Sequence, residues 1–242
     1  MAFKEGDFLE VDYSAWDAAT NELIATTNEK MARDADLHEK GTIYGPSLVI
    51  LGSNSVIKGL DRELRNMSVG DQKRFTFKPD DAFGNRMEEL VRVMPLSDFR
   101  AKEIDPHPGM RIEIENTVAT IKSVNSGRVV VDANHPYAGR DIVYEVKVVR
   151  NITDEKAKIE ALGRSYGAKP TSVSVHDKVV EIGYDSKFKK SADYFIGKTN
   201  LVASVLTMMK DFDKVEVKEE YDKAEMTRQA NPETAEEGKS KE

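Results

Sequence analysis

One run constrains this chain more than any other: Val56-Ile57-Lys58-Gly59-Leu60-Asp61-Arg62-Glu63-Leu64, followed by Met67-Ser68-Val69-Gly70-Asp71. Two β-branched apolar residues lead directly into a glycine. Leu60, Leu64 and Met67 then fall at i, i+4 and i+7, the spacing of one buried helical stripe. Gly70-Asp71 is a turn signal, and Phe75 and Phe77 alternate as on a strand. A helix of one or two turns is marginal in water, because its nucleus costs more than its few hydrogen bonds stabilise. It must therefore lie on a sheet, with Val56 and Ile57 at the rim of whatever cavity sheet and helix enclose.

The flanking sequence supplies that sheet. Residues 8–13 alternate, with Leu9, Val11 and Tyr13 on one face and Glu10 and Asp12 on the other. Residues 22–26 read as a second strand. Thr27-Asn28 reads as the cap of a charged helix reaching about Asp36, and residues 47–51 read as a third strand after Gly45-Pro46. From Asn85 the character changes. Residues 90–96 form an apolar run, and residues 110–114, 118–124 and 128–132 read as short strands, with an Asn125-Ser126-Gly127 hairpin turn between the last two. Residues 142–149 alternate again, with Ile142, Tyr144, Val146 and Val148 on one face. That strand belongs with the first sheet, so the β-rich unit before it is an insertion.

Beyond residue 151 the pattern is helix, two strands, helix, strand. Asn151-Ile152-Thr153-Asp154-Glu155 opens the first helix, whose stripe is read as Ile152, Ile159, Leu162 and Tyr166. The second, over about residues 192–211, carries Leu201, Val202, Val205, Leu206, Met208, Met209 and Phe212. So small a unit has little core of its own, and its helix is expected to need a covering surface. Residues 222–242 turn to Glu, Lys, Thr, Ala and Pro, the composition of a disordered charged tail. The chain is α+β, in three units and a tail.

Composition narrows the function. A net charge of -7 over 242 residues argues against general nucleic-acid binding. The absence of cysteine removes thiolate nucleophiles and zinc-thiolate sites. His38, His107, His135 and His176 lack ligand spacing, so no metal and no cofactor is expected. With no apolar run of membrane-spanning length and no signal-peptide core, a cytoplasmic protein is expected.

The ordered set Val56-Ile57-Lys58-Gly59-Leu60, Met67-Ser68-Val69-Gly70-Asp71 and Ala82-Phe83-Gly84 resembles the FK506-binding-protein (FKBP) type of peptidyl-prolyl cis-trans isomerase. The Asn134-His135-Pro136-Tyr137-Ala138-Gly139 loop after a β-rich insertion is similar to the SlyD-like branch, and the last unit resembles the long archaeal members. The resemblance implies an FKBP-like half-open antiparallel sheet around a short helix over residues 1–84 and 133–151. It also implies an insert-in-flap chaperone domain over residues 85–132 and a ββαβ domain over residues 152–221, expected to support a homodimer.

The resemblance also implies residue roles. Tyr13, Val56, Ile57, Leu60, Phe83 and Tyr144 match the catalytic pocket, with the Ile57 backbone amide donating to a substrate carbonyl and Leu60 as floor. Tyr144 stands where phenylalanine is usual. Phe83 stands where a tyrosine hydroxyl is usual, and Ala25 where an aspartate is usual. Losing both groups lowers the rate by a factor of roughly 10 to 100 if each hydrogen bond is worth about 1–1.5 kcal/mol. The insert's Leu90, Val91, Val93, Met94, Leu96, Phe99, Met110 and Ile112 are candidates to bind unfolded chains, since methionine-bearing apolar surfaces adapt to many partners. The implied partners are unfolded proteins, X-Pro peptides and an FK506-type ligand. The alternative is a holdase chaperone that keeps a degenerate isomerase domain as scaffold. His135, in a loop before proline, reads as a structural hydrogen-bonding residue rather than a catalytic one.

Overall fold

A computed structural model describes residues 2–114, 117–187 and 191–224. The chain is a mixed α+β protein built on three sheets. In the first, the long strand β1 (Phe8–Asp17) is the organiser. One edge pairs with β2 (Leu23–Thr26) towards its end and with β3 (Ser47–Ile50) at its start. Between these partners the chain makes the helix α1 (Glu29–Asp34), whose first turn is capped by the Asn28 side chain. α2 (Lys58–Leu64) follows, and then β4 (Gln72–Phe77).

α2 lies on the sheet, as its stripe requires. Leu60 and Leu64 are fully buried among Leu9, Val11, Ala15, Phe77 and Tyr144. Met67 is buried too, although it falls beyond the helix; the chain turns at Arg65 and Asn66 and carries it inward. Gly59 is needed for close approach: a Cβ there would sit 2.4 Å from the Phe77 ring.

The insert is a four-stranded antiparallel sheet. Strand β5 (Val91–Pro95) leads into helix α3 (Leu96–Arg100), and then come β6 (Arg111–Ile114), β7 (Thr117–Asn125) and β8 (Arg128–Asp132), in spatial order β5-β8-β7-β6. The apolar run over residues 90–96 is thus strand and then helix start, broken at Pro95, which has no N–H to continue a ladder. Ser126 and Gly127 both have positive φ (47° and 76°), as a two-residue hairpin turn demands. The chain then returns as β9 (Ile142–Ile152), antiparallel to both β1 and β4. Ile142, Tyr144, Val146 and Val148 are all buried on its inner face.

The last unit begins with α4 (Glu155–Ser165), capped by Asp154, so Ile152 is the last residue of β9 and not part of the helix stripe. β10 (Ser172–His176), β11 (Val179–Tyr184), α5 (Ala192–Met208) and β12 (Lys214–Glu219) follow, with β11 and β12 parallel across the α5 connection. The expectation of a weak core here is corrected. Leu201, Val205, Met209 and Phe212 are buried with Ile159, Leu162, Tyr184 and Tyr194, and the same cluster takes in Phe8, Ile50 and Ile152 from the first sheet. The cover for α5 is thus supplied within the chain, chiefly by α4 and by β12 of its own sheet, while α4 also packs on β3 and β9 of the first sheet. Phe8 alternates away from Leu9 and Val11, which face α2, and an extra residue in β9 (Val149), opposite Glu10/Val11, turns Ile152 to the side of Phe8 although Val148 faces α2. Glu10 joins the two units electrostatically, accepting from Arg150 (2.7 and 2.9 Å) and from Arg164 of α4 (3.0 Å). The expected disordered tail falls mostly on residues 225–242, which lie outside the described residues.

If that core is shared, Phe8→Ala should cost about 3–5 kcal/mol in urea unfolding. It should also raise amide exchange in α4, in the neighbouring domain, along with β1. Faster exchange confined to β1 would contradict the shared core.

Candidate functional site

The front face of the first sheet carries a cavity of about 360 Å³, lined by Tyr13, Asn54, Ser55, Val56, Ile57, Phe83 and Tyr144. Each wall has a local cause. Tyr13 and Tyr144 sit on adjacent strands, two positions apart in register (Tyr13 opposite Val146, Ala15 opposite Tyr144), so their rings meet diagonally at 5.8 Å. Phe77 packs edge-on against Tyr144 from β4, at 6.0 Å. Val56 and Ile57 are fixed by the turn before α2. There Ser55 Oγ exchanges hydrogen bonds with the Ile50 backbone, and the Asp61 carboxylate accepts from the Gly52 N–H at 2.7 Å and from Arg65 at 2.8 Å. Phe83 follows a short 3-10 turn, Pro79–Asp81, which a two-pronged Arg62–Asp81 pair ties to α2 at 2.9 Å.

The cavity is uncharged. None of its lining residues is ionic at neutral pH, and burial pushes the phenols of both Tyr13 and Tyr144 above their ordinary range. Ala25 is half-buried on the same face, opposite Ala15, and contributes no polar atom. Asp12 lies on the other face, near the Thr27 hydroxyl at 3.4 Å. Among the described residues nothing accepts from the Ile57 N–H, which leaves a backbone donor at the rim. Leu60 is fully buried beneath the cavity and does not line it.

Behind Phe83 stands a small aromatic stack. The His135 ring lies flat on Phe83 at 4.3 Å, and Tyr137 closes on both at 5.7 and 5.9 Å. His135 Nδ1 accepts from the Tyr137 N–H at 3.2 Å, and burial lowers the imidazole pKa. That is a neutral ring holding a loop, as the sequence reading has it. Tyr137 was not singled out from sequence; an aromatic in a Pro-X-Ala-Gly loop was the available signal. The loop is anchored by Arg140, which donates to buried Asp17 at 2.5 Å. Arg140 holds that carboxyl below the usual carboxylate range, helped by the Ala19 and Thr20 N–H groups.

The insert meets the first sheet at a short neck. Asn134 exchanges two hydrogen bonds with the Met87 backbone (2.8 and 2.9 Å). Asp132, with its side chain 2% exposed, accepts from Asn134 and from Arg86 at 2.7 Å. Beyond the neck the eight candidate client-binding residues divide. Phe99 is buried with Ala119, Ile121, Val129 and Val131 in the insert's core, so it is not on the surface. Met94, Leu96, Met110 and Ile112 are half-buried against that core, and Leu90 and Val91 are half-buried. Val93 is 61% exposed on the opposite sheet face, with Met87 and Val118 exposed as well. Val118 alternates with buried Ala119, a signal the period-two pattern carried. Two larger clefts, of about 590 and 710 Å³, open on the outer side of the first sheet and mix charged with polar walls. Among the described residues no group of three His, Asp or Glu is placed to hold a metal, and no helix is long and apolar enough to cross a membrane.

The chain matches known proteins along this architecture. The model of the family described as FKBP26, IF domain, matches residues 92–137. A short-type peptidyl-prolyl cis-trans isomerase of Methanocaldococcus jannaschii is 30% identical over 145 residues, covering 60% of this chain and 91% of that protein. The FKBP-type peptidyl-prolyl cis-trans isomerase SlyD of Vibrio cholerae is 30% identical over 133 residues, 53% of this chain and 66% of that protein. An FKBP-type 16 kDa peptidyl-prolyl cis-trans isomerase of Escherichia coli is 28% identical over 109 residues, 43% of this chain and 72% of that protein.

The neck should show in the pH dependence of stability. Burial pushes the Asp132 carboxyl up, but the Asn134 and Arg86 hydrogen bonds outweigh it and hold it below its ordinary value. A folded value below the unfolded one stabilises the protein above about pH 4 and is lost as pH falls through the folded value. Asp132→Asn should therefore cost about 1–3 kcal/mol at pH 7 and flatten the acid limb of the stability curve. An unchanged acid limb would show that the carboxylate does not hold the neck.

Proposed function

Since this chain belongs to the FKBP-type peptidyl-prolyl cis-trans isomerases, we propose that it accelerates X-Pro isomerisation in folding chains while its insert holds unfolded polypeptide. The observation that carries the reading is the uncharged cavity formed by Tyr13, Val56, Ile57, Phe83 and Tyr144. An X-Pro bond is a tertiary amide with a small trans preference but a barrier of about 18–20 kcal/mol, so it isomerises over tens of seconds or more. Amide resonance makes that barrier. The planar form is the more charge-separated, and water solvates it better than the twisted form. An apolar pocket withholds that solvation and is complementary to the twist. No nucleophile is required. The Ile57 N–H at the rim orients a substrate carbonyl, and a proline ring lies against Val56, Ile57 and the two tyrosines.

The insert raises the local concentration of prolines at this pocket by retaining the unfolded chain that carries them. The exposed Val93 and Met87 and the half-buried Met94, Leu96, Met110 and Ile112 support that role. The substrates are exposed X-Pro segments with little sequence preference, and an FK506-type ligand would compete for the same pocket. Ala25 and Phe83 leave the pocket short of two polar groups and make the isomerase a slow one. They also favour the second reading, a holdase on a degenerate isomerase scaffold. We propose further that a second copy of the chain docks on α5, where Phe195, Ile196, Val202 and Leu206 form a partly exposed apolar stripe.

Two variants separate the readings. Ala25→Asp should raise the peptide isomerisation rate about tenfold and leave suppression of client aggregation unchanged. Replacing residues 85–132 by a short loop should abolish aggregation suppression and slow catalysis on a protein substrate, with a much smaller effect on a tetrapeptide. If Ala25→Asp does nothing and the wild-type rate equals the uncatalysed one, the holdase reading stands instead. For the dimer, Ile196→Glu should halve the mass measured by light scattering; a wild-type mass of one chain would remove the proposal.

A further inference from the structure

The cavity holds two hydroxyls that the fold leaves unused. Four of its lining residues carry polar side chains: Tyr13, Asn54, Ser55 and Tyr144. Asn54 is exposed at the mouth, and the Ser55 hydroxyl is committed to the Ile50 backbone. For the hydroxyls of Tyr13 and Tyr144 there is no hydrogen-bond partner among the described residues. Yet among the described residues no unpartnered side-chain oxygen is fully enclosed; Tyr144, only 8% exposed, borders this cavity and neither of the two larger clefts, whereas Tyr13 borders both the cavity and those clefts. The strand next to β1 offers no acceptor either. Ala25, Ala15 and Tyr144 form one row across β2, β1 and β9, and Asp12 lies on the opposite face. The acceptor for these two donors is whatever enters the pocket.

We infer that Tyr144 is a catalytic hydrogen-bond donor to the imide nitrogen of the substrate, and that Tyr13 donates to the carbonyl preceding the proline. The inference rests on the isomerase reading above. In the planar imide the nitrogen lone pair is delocalised and accepts no hydrogen bond. As the C–N bond twists, the pair localises on a pyramidal nitrogen, which then accepts one. A donor aimed at that nitrogen acts in the transition state alone, which is the condition for raising kcat without tightening substrate binding. The carbonyl accepts in both states. A donor to it spares a buried oxygen from going unpaired and acts mainly on binding. No proton is transferred and no bond is broken. Burial keeps both phenols protonated, as donation requires. A carboxylate could not play the Tyr144 part, since it only accepts.

The test measures exchange of an Ala-Pro tetrapeptide by NMR at several peptide concentrations, using the full chain, with the thermal midpoint recorded for each variant. Tyr144→Phe keeps the ring and removes only the hydroxyl. It should lower kcat about 5- to 10-fold with KM and midpoint unchanged. Tyr13→Phe should raise KM about 3- to 5-fold with a smaller change in kcat. Adding Phe83→Tyr to Tyr144→Phe returns a hydroxyl to the lining of the same cavity and should recover at least half of the lost rate. Wild-type kcat in Tyr144→Phe overturns the inference while leaving the isomerase reading intact. So does a loss that comes with a lowered midpoint and is not recovered by Phe83→Tyr. Absence of catalysis by the wild-type chain overturns the isomerase reading and the inference with it.

Discussion

The seven residues of α2 cannot hold a helix by themselves, and the packing that holds them shapes the site. Leu60, Leu64 and Met67 are each almost wholly buried against one sheet, at roughly 1.5–3 kcal/mol apiece relative to exposure. That burial is possible only because Gly59 lets the helix approach the Phe77 ring. Once α2 is seated, Val56 and Ile57 have nowhere to go but the open end of the sheet, facing Tyr13 and Tyr144. The cavity is the space the short helix does not fill. Its apolar walls, Val56, Ile57 and Phe83, are continuous with the core that anchors the helix.

The other units bear on this cavity from behind and from the side. The back of the first sheet would expose Phe8, Ile50 and Ile152 if it stood alone; α4 and the C-terminal sheet cover them, and Glu10 fastens the contact through two arginines. The insert is gripped at a neck where Asp132, Asn134, Arg86 and Met87 interlock. Phe83 sits between the neck and the cavity, stacked on His135. The neck of the insert therefore adjoins the pocket wall.

Much of this was legible in the sequence. The helix stripe, the alternation on β1 and β9 and the Ser126-Gly127 hairpin follow from periods of 3.6 and 2 and from turn chemistry, which are local properties. The shared C-terminal core was not legible. It depends on a bulge in β9, at Val149, that turns Ile152 away from the face of Val148 and beside Phe8, and no residue type in that run announces a bulge. Phe99 could not be told from a surface anchor, because α3 begins at a proline that the apolar run conceals. The pocket residues were found by an ordered motif. Which of them keep free hydroxyls depends on what lies across the strands, as at Ala15 and Ala25, and that is a matter of register.

The account stands or falls on whether an apolar pocket without a carboxylate is enough to lower the barrier. The most direct measurement is the cis-trans exchange rate of a short X-Pro peptide by NMR, without a coupled protease, with and without the full chain. The account expects exchange to accelerate in proportion to the concentration of the protein. Exchange that stays at the uncatalysed rate, while aggregation of a denatured client is still suppressed, would contradict it and leave a chaperone with an isomerase fold.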